Sequence, residues 1–223
     1  FNTGVTLVTL TGVDASSNVA TTTTFSVTVL DNQLPILVAP ADQSLNIITN
    51  TCAADYTIVD PITDNCTGAN WGYTLSGATT ATVTGIADGS NAVNVSFDKG
   101  VTVVTLTGVD ASSNQALTTT FTVTVTDNQF PSITCPANIS VNNDPGVCGA
   151  VVNFTAPTGT DNCPGATTIQ TAGLASGATF PIGTTTQTFV VTDASGNTAS
   201  CSFGVTVTDN QTPVLGTLNC LNS

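Results

Sequence analysis

The sequence predicts an all-β chain of tandem two-sheet sandwiches, and three observations carry that expectation. All 14 acidic residues are Asp and Lys99 is the only basic residue, so the best polar helix formers are nearly missing while Thr and Val abound. Thr and Val suit a pleated, half-buried surface. Apolar and Thr positions alternate with the period of a strand. Long segments also recur: FNTGVTLVTLTGVDASSNVATTTTFSVTVLDNQ from Phe1 to Gln33 returns almost unchanged as FDKGVTVVTLTGVDASSNQALTTTFTVTVTDNQ from Phe97 to Gln129. Self-similarity at a fixed period marks a repeat architecture.

Taken in chain order, residues 1–30 read as the C-terminal part of a first repeat and 31–126 as a second. Residues 127–208 read as a third repeat and 209–223 as the start of a following one. The boundaries are DNQ tripeptides at Asp31, Asp127 and Asp209, each followed by a Pro at Pro35, Pro131 and Pro213. A more diverged copy of the shared segment runs from Phe180 to Gln211. Within a repeat, Val101, Val103, Thr105 and Thr107 point to one face, and Thr102, Val104, Leu106 and Gly108 to the other. Phe121, Val123 and Val125 alternate with Thr120, Thr122, Thr124 and Thr126. That is period-2 patterning, with an apolar face inward and a Thr face outward. Short strands parted by Gly, Asn, Asp and Pro clusters predict about seven per sandwich. DASSN and DASGN are the tight connections between the last two strands.

Composition excludes several function classes. A net charge of −13 leaves no cationic surface for nucleic acid or anionic lipid. No apolar run approaches the roughly 20 residues that span a bilayer, so no membrane insertion is expected. Catalysis has little to work with, since the chain has no His, no GxSxG elbow and no Cys–His arrangement. The chain is not expected to be an enzyme.

Seven Cys without a His to share a zinc site point to disulfides and an oxidising, extracellular compartment. Cys135 and Cys201 match Ala39 and about Thr119 of the second repeat, so both are absent together there, as a bonded pair lost as a unit would be. Cys148 and Cys163 form a second expected pair, matched by Cys52 and Cys66 at nearly the same spacing. Closing loops of these lengths stabilises by about 3 kcal/mol for the shorter and about 4 kcal/mol for Cys135–Cys201. Cys220 is left over, with a partner beyond the last residue or a free or intermolecular thiol as the alternatives.

The third repeat carries a family resemblance. It has DNQFP from Asp127, ITCPANI from Ile133 to Ile139, TDNC from Thr160 to Cys163, FPIG from Phe180 to Gly183, TDASGN from Thr192 to Asn197 and CSF from Cys201 to Phe203. These motifs resemble the hyalin repeat (HYR), an immunoglobulin-like extracellular module related to fibronectin type III domains. The second repeat departs from the pattern by lacking the Cys-Pro and Cys-x-Phe cysteines. The resemblance implies tandem immunoglobulin-like or fibronectin III-like sandwiches and a role in cell-surface adhesion. The Thr-rich, Lys-poor style with near-identical repeats also resembles giant adhesins of gliding Bacteroidota. The expected role is a structural spacer or stalk of an extracellular adhesin or filament; a glycan- or protein-binding module and an accessory domain of a secreted hydrolase are the alternatives. Expected partners are neighbouring repeats, with other copies in a filament or a surface glycan or protein as further ones.

Calcium is the expected metal, because the chain offers hard oxygen donors. The DNQxP boundaries resemble cadherin linkers. Asp31, Asp127 and Asp209 are candidate ligands, in combination with Asp64 and Asp161 of the TDN loops, or with Asp14, Asp110 and Asp193. The competing reading is that these aspartates form turns. Asn-x-Ser/Thr sequons stand at Asn65, Asn94, Asn138 and Asn153, where a Thr- and Asn-rich chain produces them by chance. Trp71 is expected in the core, with an exposed patch shared with Tyr73 as the alternative. Lys99, without a counterpart in the other repeats, is expected to be an ordinary exposed lysine.

Overall fold

The computed structural model describes residues 2–47, 51–90 and 92–213. Among them every regular element is a strand. The chain divides into two compact units, Phe1–Leu45 with Ala53–Thr126, and Asn46–Cys52 with Asp127–Ser223.

The first unit opens with a hairpin of β1 (Gly4–Leu10) and β2 (Thr23–Val29). There follow β3 (Ile36–Leu37), β4 (Gln43–Asn46), β5 (Ala53–Ile58), β6 (Ile62–Thr63), β7 (Asn70–Gly77), β8 (Ala81–Ala87), β9 (Val93–Asp98), β10 (Gly100–Val109) and β11 (Thr119–Thr126). A five-stranded sheet runs β4-β11-β10-β7-β8, while β5 pairs with β9 and β3 with β6. Ala54, Ile58, Val95 and Phe97 lie buried on the β5 and β9 side. They share a core with Trp71, Leu75, Val104, Leu106, Phe121, Val123 and Val125 of the larger sheet. Tyr56 reaches Phe121 with 6.0 Å between ring centroids. This is the sandwich solution to a sheet with one apolar face.

The second unit contains β12 (Ile139–Asn142), β13 (Gly149–Val151), β14 (Thr167–Ala172), β15 (Thr179–Pro181), β16 (Gly183–Thr192) and β17 (Thr198–Thr208). A four-stranded sheet runs β12-β17-β16-β14, and β13 pairs with β15. Ala150, Val152 and Phe180 pack with Phe189, Phe203, Val205 and Val207 in one core. Phe154 sets its ring edge-on to Phe203, 5.2 Å away. β12 runs parallel to β17, from Ile139 opposite Val205 to Asn142 opposite Thr208.

Among the described residues the second repeat has nine strands (β3–β11) and the third six (β12–β17), against the expected count of about seven. The second repeat inserts the β7–β8 hairpin where the third has only the edge strand β14, which accounts for its longer sequence between the TDNC motif and the next FxxG. Strand alternation also departs in one place from an all-Thr outer face. On β10 the inward residues are Thr102, Val104 and Leu106, all fully buried, while Val101 faces solvent. Thr102 is tolerated inside because its Oγ1 accepts a hydrogen bond from the Thr79 amide at 3.1 Å.

Candidate metal centre

The DASSN and DASGN turns organise one end of each unit. In the second repeat the Asp110 carboxylate accepts hydrogen bonds from the amides of Ser112 (2.9 Å) and Asn114 (2.8 Å) and from the Asn114 side chain (2.7 Å). Asp193 does the same with Ser195 (2.8 Å) and Asn197 (2.8 and 2.8 Å). Burial works against ionisation at both carboxyls, but these hydrogen bonds outweigh it and hold both below the ordinary aspartate value of 3.8. The fourth turn residue takes a left-handed backbone, with φ of 67° at Ser17, 73° at Ser113 and 91° at Gly196. Only Gly adopts that conformation without steric cost.

The same turn ties down the repeat boundary. The Asn114 side-chain amide donates to the Asp31 carbonyl at 3.0 Å, and Asn197 donates to the Asp127 carbonyl at 3.2 Å. Within each DNQ tripeptide the Asp accepts the amide of the Gln two residues on, at 3.1 Å for Asp31, 3.1 Å for Asp127 and 3.0 Å for Asp209. The TDNC loops repeat the device, with Asp64 accepting the Cys66 amide at 3.1 Å and Asp161 the Cys163 amide at 2.9 Å.

Two acidic clusters result. Asp31, Asp64 and Cys66 bring one side-chain atom each within 4.8 Å of one another, and so do Asp127, Asp161 and Cys163. With one oxygen occupied by its turn, each carboxylate turns the other toward its cluster. Asp31 Oδ2, Asp64 Oδ1 and Asp161 Oδ1 are buried without a hydrogen-bond partner, while Asp127 Oδ2 accepts from the Ser195 hydroxyl at 3.2 Å. The structure therefore brings Asp31 to Asp64 and Asp127 to Asp161. Asp110, Asp193 and Asp14 have both oxygens engaged within their own turns. Asp209 makes its Asx turn, and among the described residues it belongs to no cluster of three or more metal-ligating side chains.

Sulfur adds nothing to either donor set. Cys163 is in a disulfide. The adjoining Asp31 carboxylate, burial, and the charges of Asp64 and Asp110 push the Cys66 thiol above its ordinary 9.0, which keeps it a poor metal ligand. A soft metal would want thiolate. The donors that remain are hard oxygens, which fit a cation such as calcium.

The cysteine framework agrees with the sequence in one pair and corrects it in the other. Cys135 and Cys201 are bonded, with sulfurs 2.02 Å apart. Cys52 is bonded to Cys163, at 2.14 Å and a sequence separation of 111 residues, and Cys66 and Cys148 are free among the described residues. The expected Cys52–Cys66 and Cys148–Cys163 pairs do not form, because the members of each lie at opposite ends of a strand. Cys163 sits with Asp127 beside the turn that begins β17. Cys148 sits beyond the other end of β17, where the Asn143 backbone amide donates to the Thr208 carbonyl and its side-chain amide donates to the Val147 carbonyl at 3.0 Å. At about 3.3 Å per residue β17 spans roughly 33 Å, against a usual limit of about 7 Å between bridged Cα atoms. In the second repeat Cys52 precedes Ala53, which pairs with Asp98 beside the start of β10. Cys66 lies with Asp31 at the turn that follows the end of β10. Cys220 lies outside the described residues.

Trp71 is 1% exposed and belongs to the core, 6.4 Å from the Tyr73 ring. Lys99 is half-buried between β9 and β10. Among the sequons, Asn138 Oδ1 accepts the Gly204 amide at 2.8 Å and Asn94 Oδ1 accepts the Thr57 hydroxyl at 3.4 Å.

Residues 126–207 match the HYR domain family. The chain is 31% identical over 212 residues to hyalin of Strongylocentrotus purpuratus, covering 93% of this chain and 16% of that protein. It is also 31% identical over 154 residues to the serine-rich adhesin for platelets of Staphylococcus aureus, covering 60% of this chain and 6% of the adhesin. The chain thus spans less than a fifth of either relative. Human CDH23 EC21-23 aligns with 78% of this chain and 69% of its own length, at 13% identity and a TM-score of 0.37. The sequence comparisons support the HYR family; they do not support an origin among gliding Bacteroidota.

Proposed function

With a HYR domain at residues 126–207 as the premise, we propose that this chain is a run of structural spacer repeats from an extracellular adhesion protein. The carrying observation is the parallel pairing of β12, the first strand of the second unit, with β17, its last. Tension applied at the two ends of such a unit loads the hydrogen bonds between these strands in shear, so they must fail together. The Cys135–Cys201 bond reinforces the same connection covalently. An adhesin among the relatives and the oxidised cysteines favour a cell-surface setting. Neighbouring repeats are the partners this role requires. Stretching single oxidised chains tests the reading: resolved unfolding peaks are expected, at lower force for a Cys135→Ser/Cys201→Ser chain. Extension without a peak would contradict the spacer role.

Calcium belongs to the same proposal. The buried, unpartnered oxygens of Asp31, Asp64 and Asp161 are the support for it. Asp31 with Asp64, and Asp127 with Asp161, would supply carboxylate oxygens, and water would complete a shell of six to eight. So few protein ligands imply a weak site, with Kd on the order of 10⁻⁴–10⁻³ M, the range of extracellular modules. A calorimetric titration to millimolar calcium is expected to show saturable heat that Asp31→Asn with Asp64→Asn reduces. Heat no larger than buffer dilution would remove calcium from the proposal.

A further inference from the structure

Apart from the Cys135–Cys201 pair of the third repeat, each repeat carries one cysteine at each of its ends. Cys66 and Cys163 sit with the DNQ and TDNC aspartates, and we call this end the head. Cys52 and Cys148 occupy the matching position at the other end of β10 and of β17, the tail. The sequence register supports the matching: TCAADY around Cys52 answers to VCGAVV around Cys148, and TDNC occurs twice. In-repeat pairing is closed to both couples by the length of the sandwich.

One head and one tail cysteine are nevertheless bonded. Cys52, the tail cysteine of the second repeat, is joined to Cys163, the head cysteine of the third. Thr51, next to it, has its carbonyl held by the Asn162 side chain at 2.7 Å. The two free cysteines are therefore one unused head, Cys66, and one unused tail, Cys148. Cys148 is exposed, and Cys66 is half-buried.

We propose that Cys66 and Cys148 are half-sites for tail-to-head disulfides with adjoining repeats of the same type, so that consecutive domains in a longer array are stapled one to the next. Cys148 takes the head cysteine of a following repeat, and Cys66 the tail cysteine of a preceding one. The bond forms by exchange with a disulfide oxidant such as oxidised glutathione. The two thiols lose two protons and two electrons, and the oxidant is reduced to two thiols.

The test uses the full chain with Cys220→Ser, and a longer version in which residues 31–208 occur twice in succession. Both are oxidised with glutathione, unfolded in acid, and assayed for thiols with a maleimide. The single chain is expected to show two thiols, matching the two free cysteines. The doubled chain is expected to show two again, because Cys148 of the first copy has bonded Cys66 of the second. Four thiols in the doubled chain would mean the half-sites do not join, and none in either chain would mean in-repeat pairing; both overturn the proposal. Peptide mapping at low pH gives an independent reading. A Cys148–Cys66 peptide in the doubled chain, lost when the first Cys148 becomes Ser, supports it, and a Cys148–Cys163 or Cys52–Cys66 peptide overturns it.

Discussion

The hairpin of β1 and β2 and the hairpin of β10 and β11 are nearly one sequence in two settings. Their registers are the same: Val8 faces Phe25 as Val104 faces Phe121, and Leu10 faces Thr23 as Leu106 faces Thr119. Their turns are the same too, with Asn18 donating to Asp14 at 2.8 Å as Asn114 donates to Asp110 at 2.7 Å. Their burial is not. Phe25 is 49% exposed and Phe121 3%; Leu10 is 52% exposed and Leu106 0%. β11 and β10 are flanked by β4 and β7 and covered by β5 and β9, whereas β1 and β2 form a two-stranded sheet by themselves. Register and turn chemistry are thus local properties of this sequence, and burial is supplied by other strands.

The bulkiest side chains to differ in burial are the aromatic pair Phe25 and Phe121. Phe121→Ala is expected to destabilise the first unit by about 3–5 kcal/mol, as large-to-small core changes do. Phe25→Ala is expected to stay within about 0.5 kcal/mol, the range of surface substitutions. Urea unfolding followed by fluorescence of Trp71, the only tryptophan, reads both. Equal losses would mean the first hairpin is buried in solution.

A second contrast sets the second repeat, with Ala39 and about Thr119, against the third, with Cys135 and Cys201. Cys135→Ser together with Cys201→Ser is expected to cost the second unit about 4 kcal/mol in the chain-entropy model for a loop closed over 66 residues. The Trp71-reported transition of the first unit is expected not to move, which calorimetry and fluorescence together would show.

The turns allow a smaller test. Ser113→Gly removes the steric cost of a left-handed serine and is expected to stabilise by up to about 1 kcal/mol. Ser17→Gly, in the same turn on the open hairpin, is expected to leave the Trp71 transition unchanged. The third repeat already has Gly196 there.

The smallest effect is in pH. Asp110 and Asp193 have folded values below the ordinary 3.8, so the unfolded chain takes up protons first as pH falls. Their contribution to stability is full above pH 3.8 and is lost as pH drops through the folded values. Thermal melts are therefore expected to be flat in this respect from neutrality to about pH 4 and to decline below it. Asp110→Asn and Asp193→Asn are expected to shrink that decline, and a decline beginning well above pH 4 would assign it to other groups.

Much of this is legible in the sequence. Period-2 alternation located β10 and β11 because a strand has only two faces. The DASSN and DASGN segments read as turns because an Asp at the first position and an Asn at the last can satisfy each other's backbone. The sequence offers the candidate carboxylates as a set, yet two pairings within it need tertiary contacts. Asp31 and Asp64 are distant in sequence, and so are Asp127 and Asp161, so their convergence depends on how the loops meet. Asp110 and Asp193 are equally good candidates by residue type, but their own turns engage both oxygens of each.

The cysteines show the division most clearly. By itself, the sequence determined that this is an all-β repeat chain with Asx-pinned boundaries, and it identified Cys135 with Cys201, because both vanish together from the second repeat. It misled on Cys148 with Cys163, since a short separation along the chain looks like a short distance in space. Only the tertiary structure decided otherwise, because the backbone between those two cysteines runs the length of the sandwich. Hydrogen-bonding periodicity and turn chemistry act over a few residues and are written locally; which ends meet is decided by where the packed strands carry them.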